Sequence, residues 1–347
     1  MDISIEKMEK IVYHPDMICY LESRCTNPYR NLALEQFVFD RLDRKNSYFM
    51  LWQNHNSIIV GKHQNTMEEI DSGFIREKNI TVARRLSGGG AVYHDLGNLN
   101  FTFITDADNA KGMDFSRFCE PVRKALCSFG VPVEISGRND MTVEGKKISG
   151  NAQYIKQDRI MHHGTILYDS DLDMLSRALR PGNDKIESKG IKSVQSRVTN
   201  IRPYMKNDMG IADFWEALKG FLAAELEMRE LTLKDEYYPE IEELEEKVYS
   251  QWSWNYGKSP PYTLRKVRRI EGCGKIEILL DVGPEGIIKN IAFYGDFFGN
   301  RDPGELGEIL CGIRLESVEI KTALKKADIS VFFHGLDMNT FISTLTT

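Results

Sequence analysis

Between residues 28 and 42 the apolar positions Leu34, Phe37, Val38 and Leu42 return every three or four residues, with Arg41 among them. That spacing predicts an amphipathic helix. Thr26-Asn27-Pro28 supplies its start, a capping side chain followed by a proline suited to the first turn. The pattern then shortens: Tyr48 to Trp52 and Ser57 to Val60 are compact apolar runs that predict strands, the second closed by Gly61. Thr66-Met67-Glu68-Glu69 has the spacing of a capping box and predicts a helix to about Lys78. Thr81 to Arg85 predicts a strand entering a glycine-rich turn and Leu99 to Ile104 a strand leaving it, so sheet is expected to hold the turn at both ends.

Asp114 to Phe129 fits a helix ended by Gly130. From Val131 to Tyr168 the pattern is strand, turn, strand, with turns at Glu144-Gly145 and Gln157-Asp158. Asp171 to Leu179 predicts a short helix stopped by Pro181-Gly182. Asn183 to Arg202 is polar with little periodicity; long loops of this kind carry function, and it is a candidate lid. Two helices follow, Ile211 to Met228 and Tyr238 to Trp252; in the second, Ile241, Leu244, Val248 and Trp252 share one side and acidic residues fill the other. Proline and glycine punctuate Asn255 to Pro261, which predicts a linker over residues 251–261 between a first unit, 1–250, and a second, 262–347. In the second unit, strands at Lys275 to Val282 and Ile287 to Tyr294 flank the turn Gly283-Pro284-Glu285-Gly286, and helices are expected near Pro303 to Gly312, Glu316 to Lys326 and Asn339 to Leu345. The fold class is mixed α/β (α+β), sheets flanked by helices. The second unit shows no catalytic constellation, so packing or domain docking is its expected role.

Composition narrows the functional classes. With 347 residues, 41% hydrophobic and 28% charged, the chain is an ordinary globular protein of about two domains. A net charge of −6 argues against general nucleic-acid binding, although a local basic cluster still suits a single nucleotide. No run approaches the ~20 apolar residues of a membrane helix, and Met1 to Lys7 is charged rather than signal-like. The six cysteines form no C-x-x-C pair, which suits reduced thiols in the cytoplasm.

The chemistry centres on Arg84-Arg85-Leu86-Ser87-Gly88-Gly89-Gly90-Ala91-Val92-Tyr93-His94-Asp95. Glycines let backbone approach a ligand closely and offer N–H groups to a phosphate or carboxylate. Read alone, the triplet is equally compatible with a hairpin turn flanked by solvated arginines. Some sixty positions on, Gly137-Arg138-Asn139-Asp140 precedes Lys146-Lys147-Ile148-Ser149-Gly150-Asn151-Ala152. On a strand, Lys147 projects to one face, where it suits both a phosphate and a carboxylate, and Lys146 projects to the other. Asp140 is a candidate magnesium or polar partner, with an exposed turn aspartate as the plainer reading. In His162-His163-Gly164-Thr165 the histidines face opposite ways and lack a third metal ligand, so core and hydrogen-bonding roles are expected. His94-Asp95 is not read as part of a triad.

Together these motifs resemble the lipoate-protein ligase A family of the biotin/lipoate ligase superfamily. The match also takes in Lys189-Gly190-Ile191-x-Ser193-Val194-x-Ser196-Arg197-Val198-x-Asn200 and, more weakly, Trp254-Asn255-Tyr256-Gly257. The resemblance implies a biotin/lipoate-ligase-like catalytic domain over 1–250 and a small α/β C-terminal accessory domain. It implies a two-step reaction, in which lipoate and ATP, with Mg2+, give lipoyl-AMP, and the lipoyl group passes to a lysine of an acceptor. By the same resemblance Lys147 is catalytic, and Arg85, Ser87, Gly88, Gly89, Gly90, Ala91, Val92, Tyr93, Asp140 and Lys147 bind ATP or lipoyl-AMP. Arg85, Ser87, His94 and Lys147 contact lipoate, Asp140 assists the metal, and Lys189, Gly190, Ser193 and Arg197 belong to an adenylate-binding loop. The partners implied are lipoyl domains of 2-oxoacid dehydrogenase E2 subunits, the glycine-cleavage H protein, or both, with no nucleic acid and no membrane. Related octanoyl transferases need a cysteine in the later half of the catalytic domain, and this chain has none between Cys127 and Cys273. The alternatives are a lipoyltransferase restricted to preformed lipoyl-AMP and a non-catalytic protein that binds lipoyl-adenylate or lipoyl domains.

Overall fold

The computed structural model describes residues 18–106, 114–137, 139–179, 197–257, 264–283 and 286–346. Asn27 caps the first helix, α1 (Pro28–Arg41), by accepting a hydrogen bond from the Tyr29 amide, and Pro28 sits in its first turn. An eight-stranded sheet packs on one side of α1. It is built from β1 (Ile18–Ser23), β2 (Ser47–Trp52), β6 (Asn98–Asp106), β7 (Glu134–Ser136), β8 (Asp140–Val143), β9 (Lys146–Lys156), β10 (Arg159–Leu167) and β11 (Met228–Glu230), in the order β11-β1-β2-β6-β10-β9-β8-β7. β1 runs parallel to β2 and β11, and the remaining pairs are antiparallel. A smaller sheet, β4-β3-β5, comprises β3 (Ser57–Val60), β4 (Thr81–Arg84) and β5 (Val92–His94).

Alternation along β2 sorts the core. Tyr48, Met50 and Trp52 pack with Leu32, Phe37 and Val38 of α1, whereas Phe49 and Leu51 join Phe101, Phe118 and Trp215 on the opposite face. That second face is covered by α4 (Ser116–Ser128) and α6 (Ile211–Leu226). The helix expected at Asp171 is α5 (Leu172–Ala178), capped by Asp171. Both hairpin turns fall as expected: Glu144-Gly145 and Gln157-Asp158 all have positive φ, at 51°, 74°, 49° and 58°. This is the type I′ pattern, whose twist matches that of the flanking strands.

Several elements differ from the sequence pattern, and β1 and β11 are strands where none was expected. The glycine turn is entered from β4 but left through β5, and both strands pair with β3; β6, the strand expected to leave the turn, belongs to the large sheet. The helix expected over Thr66 to Lys78 is two short ones, α2 (Thr66–Glu69) and α3 (Ser72–Glu77). Ile70 breaks them by bridging to Leu179, Asp71 caps α3, and the Thr66 hydroxyl donates to the Asn255 carbonyl instead of capping. The helix from Tyr238 ends as α7 (Tyr238–Leu244) and continues as a π turn, Glu245–Tyr249. That wider turn rotates the apolar phase, so Tyr249 is 1% exposed and Trp252 is 64% exposed. Within 251–261, expected as linker, Trp252–Tyr256 forms a short helix, α8, whose Asn255 is buried.

The second unit carries the expected hairpin as β13 (Gly274–Val282) and β14 (Ile288–Gly295), with α9 (Gly304–Leu310), α10 (Ser317–Ala323) and α11 (Met338–Thr346). A further strand, β12 (Leu264–Ile270), completes its sheet in the order β12-β13-β14. Its sequence, LRKVRRI, lacks an apolar alternation because it is an edge strand with five exposed positions.

Candidate functional site

A cavity of about 270 Å³ opens between the two sheets, lined at one end by Leu32, Trp52 and Ile59 and along one wall by the turn from Arg85 to His94. Asp140, Lys147, Asn151 and His163 face it from the β8-β9-β10 hairpins, and Asp296 enters from the second unit. The structure thus brings Arg85, Gly89, Gly90, Ala91, Val92, His94, Asp140 and Lys147 to one cavity. Ser87 lies just behind the wall and is 1% exposed. Gly88 packs against the second unit, and Tyr93 is buried among the apolar residues under β3.

Two buried guanidiniums shape the glycine turn from within. Arg85 donates from Nε to Ser87 Oγ (3.0 Å), from Nη1 to the Ile59 carbonyl (3.0 Å), and from Nη2 to the carbonyls of Gly88 (2.7 Å) and Gly90 (2.8 Å). Arg84, one residue earlier and on the other face of β4, donates to the carbonyls of Gly61, Lys62, Gln64, Trp254 and Asn255 and to the Thr66 hydroxyl. Burial pulls both guanidiniums down to about 10, with Glu35 opposing the shift at Arg85 and Tyr294 at Arg84. Both stay charged at neutral pH.

The glycines have distinct reasons. A Cβ on Gly88 falls 2.2 Å from the Phe297 carbonyl oxygen. Gly89 has φ +90°, and its amide donates to that same carbonyl (3.4 Å). A Cβ on Gly90 meets nothing within 4 Å. The second unit is anchored beside this contact by the Gly295 amide, which donates to the His63 carbonyl (2.8 Å), and by the Phe298 ring, buried against Phe115 and Ala152.

Lys147 Nζ lies 2.8 Å from Asp140 Oδ1, and each side chain is about a third exposed. Among the described residues this oxygen has no aligned hydrogen-bond donor despite the ion pair. A carboxylate oxygen of that kind beside the cavity suits a hard divalent cation such as magnesium, which needs only one or two protein carboxylates. Among the described residues no group of three or more His, Cys, Asp or Glu side chains is placed to hold a metal.

His94 is 3% exposed. Asn54, its amide oriented by Asn31, donates from Nδ2 to His94 Nδ1 (3.1 Å), so the neutral ring carries its proton on Nε2. Nε2 has no partner among the described residues and the ring lines the cavity, making it a neutral donor. Burial, reinforced by Arg85, drives its pKa down to about 3. His162 takes the core role expected of it, stacked on Phe118 at 4.9 Å and hydrogen-bonded to Gln153 and Asn151.

Lys189, Gly190 and Ser193 lie outside the described residues. Arg197 is exposed where the description resumes. The chain then passes alongside Lys147: Val198 bridges to it, and the Thr199 amide donates to its carbonyl (3.0 Å). The sequence reading missed Glu35, Asn255 and Asp296. The sequence signal for Glu35 was only its i,i+4 spacing from Asn31 on α1 beside the apolar positions, and the structure buries both.

The fold and this site define a ligase of the lipoate-attaching class. The family model for the lipoyl protein ligase A/B catalytic domain matches residues 27–223, and that for the bacterial lipoate protein ligase C-terminus matches 259–345. The chain is 42% identical to lipoate-protein ligase 1 of Staphylococcus aureus over 317 residues, 91% of this chain and 96% of that one. Its fold matches the crystal structure of Plasmodium falciparum LipL1 in complex with lipoate, with a TM-score of 0.74, 25% identity, and 95% and 98% of the two chains covered. It also matches a lipoate-protein ligase A bound with ATP, with a TM-score of 0.59, 27% identity, and 70% and 98% covered. The chain belongs to the lipoate-protein ligase family.

Two outcomes follow from this geometry. Gly88→Ala is expected to cost about 1–3 kcal/mol, through overlap with the Phe297 carbonyl, and Gly90→Ala to leave the melting temperature within a degree or two of wild type; equal losses in a thermal melt would contradict the assignment. For acid stability, the folded pKa of His94 lies below its unfolded value of about 6.5. Between the two the unfolded chain binds the extra proton, so stability falls as pH drops from about 6.5 toward 3. Each such histidine contributes a slope of about 1.4 kcal/mol per pH unit. Denaturant titrations at pH 7, 6 and 5 should show a shallower acid decline in His94→Gln.

Proposed function

We propose that this chain is an ATP-dependent lipoate-protein ligase with both half-reactions in the one cavity. The observation that carries this reading is the join between an apolar slot, Leu32, Trp52 and Ile59, and a wall of donors, His94, Lys147 and the glycine turn. That combination suits an acyl chain ending in a carboxylate beside a nucleotide. In the first step a carboxylate oxygen of lipoate attacks the α-phosphorus of ATP, and pyrophosphate leaves. In the second, the deprotonated amine of an acceptor lysine attacks the lipoyl carbonyl, and AMP leaves.

Lys147 offsets the repulsion between the two anions and then sits between the acyl carbonyl and the phosphate. The His94 Nε2 proton orients the carboxylate without adding charge. Arg85 acts chiefly through the turn it holds, since four of its five N–H groups already meet protein oxygens. Asp140 would hold Mg2+, which supplies charge neutralisation at the phosphates. Lys189, Gly190, Ser193 and Arg197 are assigned to adenylate binding, and the passage of residues 198–199 along Lys147 supports this for Arg197. We assign the catalytic role to the unit over 1–250 and an accessory role to the C-terminal unit. The acceptor is a lipoyl domain of a 2-oxoacid dehydrogenase E2 subunit, the glycine-cleavage H protein, or both. Free cysteines suit a cytoplasmic setting, and no helix among the described residues is long and apolar enough to cross a membrane.

Incubation with ATP, magnesium and lipoate should release pyrophosphate and add one lipoyl mass to a single acceptor lysine, read by mass spectrometry. Lys147→Ala should lower the rate by about a hundredfold or more with an unchanged melting temperature. Activity only when lipoyl-AMP replaces lipoate and ATP would assign a lipoyltransferase instead. Nucleotide binding without acceptor modification under either condition would assign a binding protein.

A further inference from the structure

A chain of buried hydrogen bonds runs from α1 to the glycine turn. Trp52 Nε1 donates to Thr102 Oγ1 (3.0 Å), and the Thr102 hydroxyl donates to Glu35 Oε1 (2.6 Å). Glu35, 2% exposed, also receives His163 Nδ1, at 2.9 Å on Oε1 and 3.1 Å on Oε2. The opposite ring nitrogen, His163 Nε2, lies 2.6 Å from Ser87 Oγ, and Ser87 Oγ accepts from Arg85 Nε (3.0 Å). Arg85 in turn holds the carbonyls of Gly88 and Gly90.

The Glu35 carboxylate can only accept, so the proton of the neutral imidazole sits on Nδ1, facing it. His163 Nε2 is then an acceptor for the Ser87 hydroxyl, whose oxygen also accepts from Arg85 Nε. A carboxylate is the one side chain at position 35 that accepts from both Thr102 and His163 without presenting a proton of its own.

We infer that Glu35 is a positioning residue for the activation step: it sets the His163 tautomer and, through Ser87 and Arg85, the shape of the glycine turn. The effect on rate rests on the ligase reading above, whereas the tautomer does not. Glutamine at position 35 keeps the shape but places an amide NH2 near 3 Å from His163 Nδ1. Two donors cannot share that contact, so the ring moves its proton to Nε2 and leaves the Ser87 hydroxyl without an acceptor.

The test is Glu35→Gln in the full chain, with 15N-labelled histidine read by two-bond 15N–1H correlation alongside lipoate-dependent pyrophosphate release. Wild type should show the Nδ1–H tautomer at His163. The variant should move toward Nε2–H, with kcat reduced by about ten- to a hundredfold and the KM for a lipoyl-domain acceptor unchanged. Retention of Nδ1–H in the variant, or an unchanged kcat, overturns the inference. Should Glu35→Gln fail to fold, Ser87→Ala cuts the chain beyond His163: the ring should keep Nδ1–H while kcat falls to the same degree, and Nε2–H there overturns it. Absence of pyrophosphate release in wild type would instead sink the ligase reading, and the tautomer, with lipoate affinity replacing kcat, would still decide the role of Glu35.

Discussion

Two arginines buried back to back on one short strand set the terms for the rest of the site. A guanidinium taken out of water must have its N–H groups met by oxygens, because an unpaired buried charge costs several kcal/mol. Arg84 and Arg85 each meet this demand with main-chain carbonyls, drawn from opposite sides of β4. Arg84 gathers Gly61, Lys62, Gln64, Trp254 and Asn255, fastening α8 to the loop after β3. Arg85 gathers Ile59, Gly88 and Gly90 and bends the glycine turn around itself. The turn is therefore pulled into shape from its protein side before any ligand arrives.

This divides the cations of the site by task. A guanidinium held by four hydrogen bonds to fixed oxygens is a brace, and moving it toward a phosphate would unmake the turn. Lys147 is different: its ion pair with Asp140 is one-third exposed, and pairs of that kind contribute about 0–1 kcal/mol. On the proposed reading, an incoming anion would exchange places with Asp140 at little cost and leave the carboxylate oxygen for a metal. The loosely held charge thus sits across the cavity from the braced turn.

Much of this was legible in the sequence wherever a local rule had a local cause. The cap at Asn27, the turns at Glu144-Gly145 and Gln157-Asp158 and the hairpin of the second unit follow from short-range patterns, whereas the meeting of the glycine turn with Lys147 came from the family resemblance. What escaped depended on distant partners. Thr66 has the spacing of a capping box, yet its hydroxyl is claimed by Asn255, 189 positions away. Nothing local beyond its spacing from Asn31 marks Glu35, because lone glutamates are rarely buried. Only the fold brings Thr102 and His163 to it. β12 was hidden by its charges, which suit an exposed edge and mask the period-2 signal.

The glycine triplet shows how far such long-range demands can dictate a short motif. From below, the Gly89 carbonyl oxygen approaches Gly61 so closely that a Cβ on Gly61 falls 2.0 Å from it. From above, the Phe297 carbonyl of the second unit occupies the space of a side chain at Gly88 and accepts from the Gly89 amide. Gly90 alone faces open space. Gly88 is thus fixed by the Phe297 carbonyl, and Gly89 by its φ of +90° and by Arg85 and Phe298, each 3.1 Å from where its Cβ would stand. The same turn that walls the cavity is therefore also where the second unit rests, its Gly89 amide donating to the Phe297 carbonyl while Gly295 donates to the His63 carbonyl beside it.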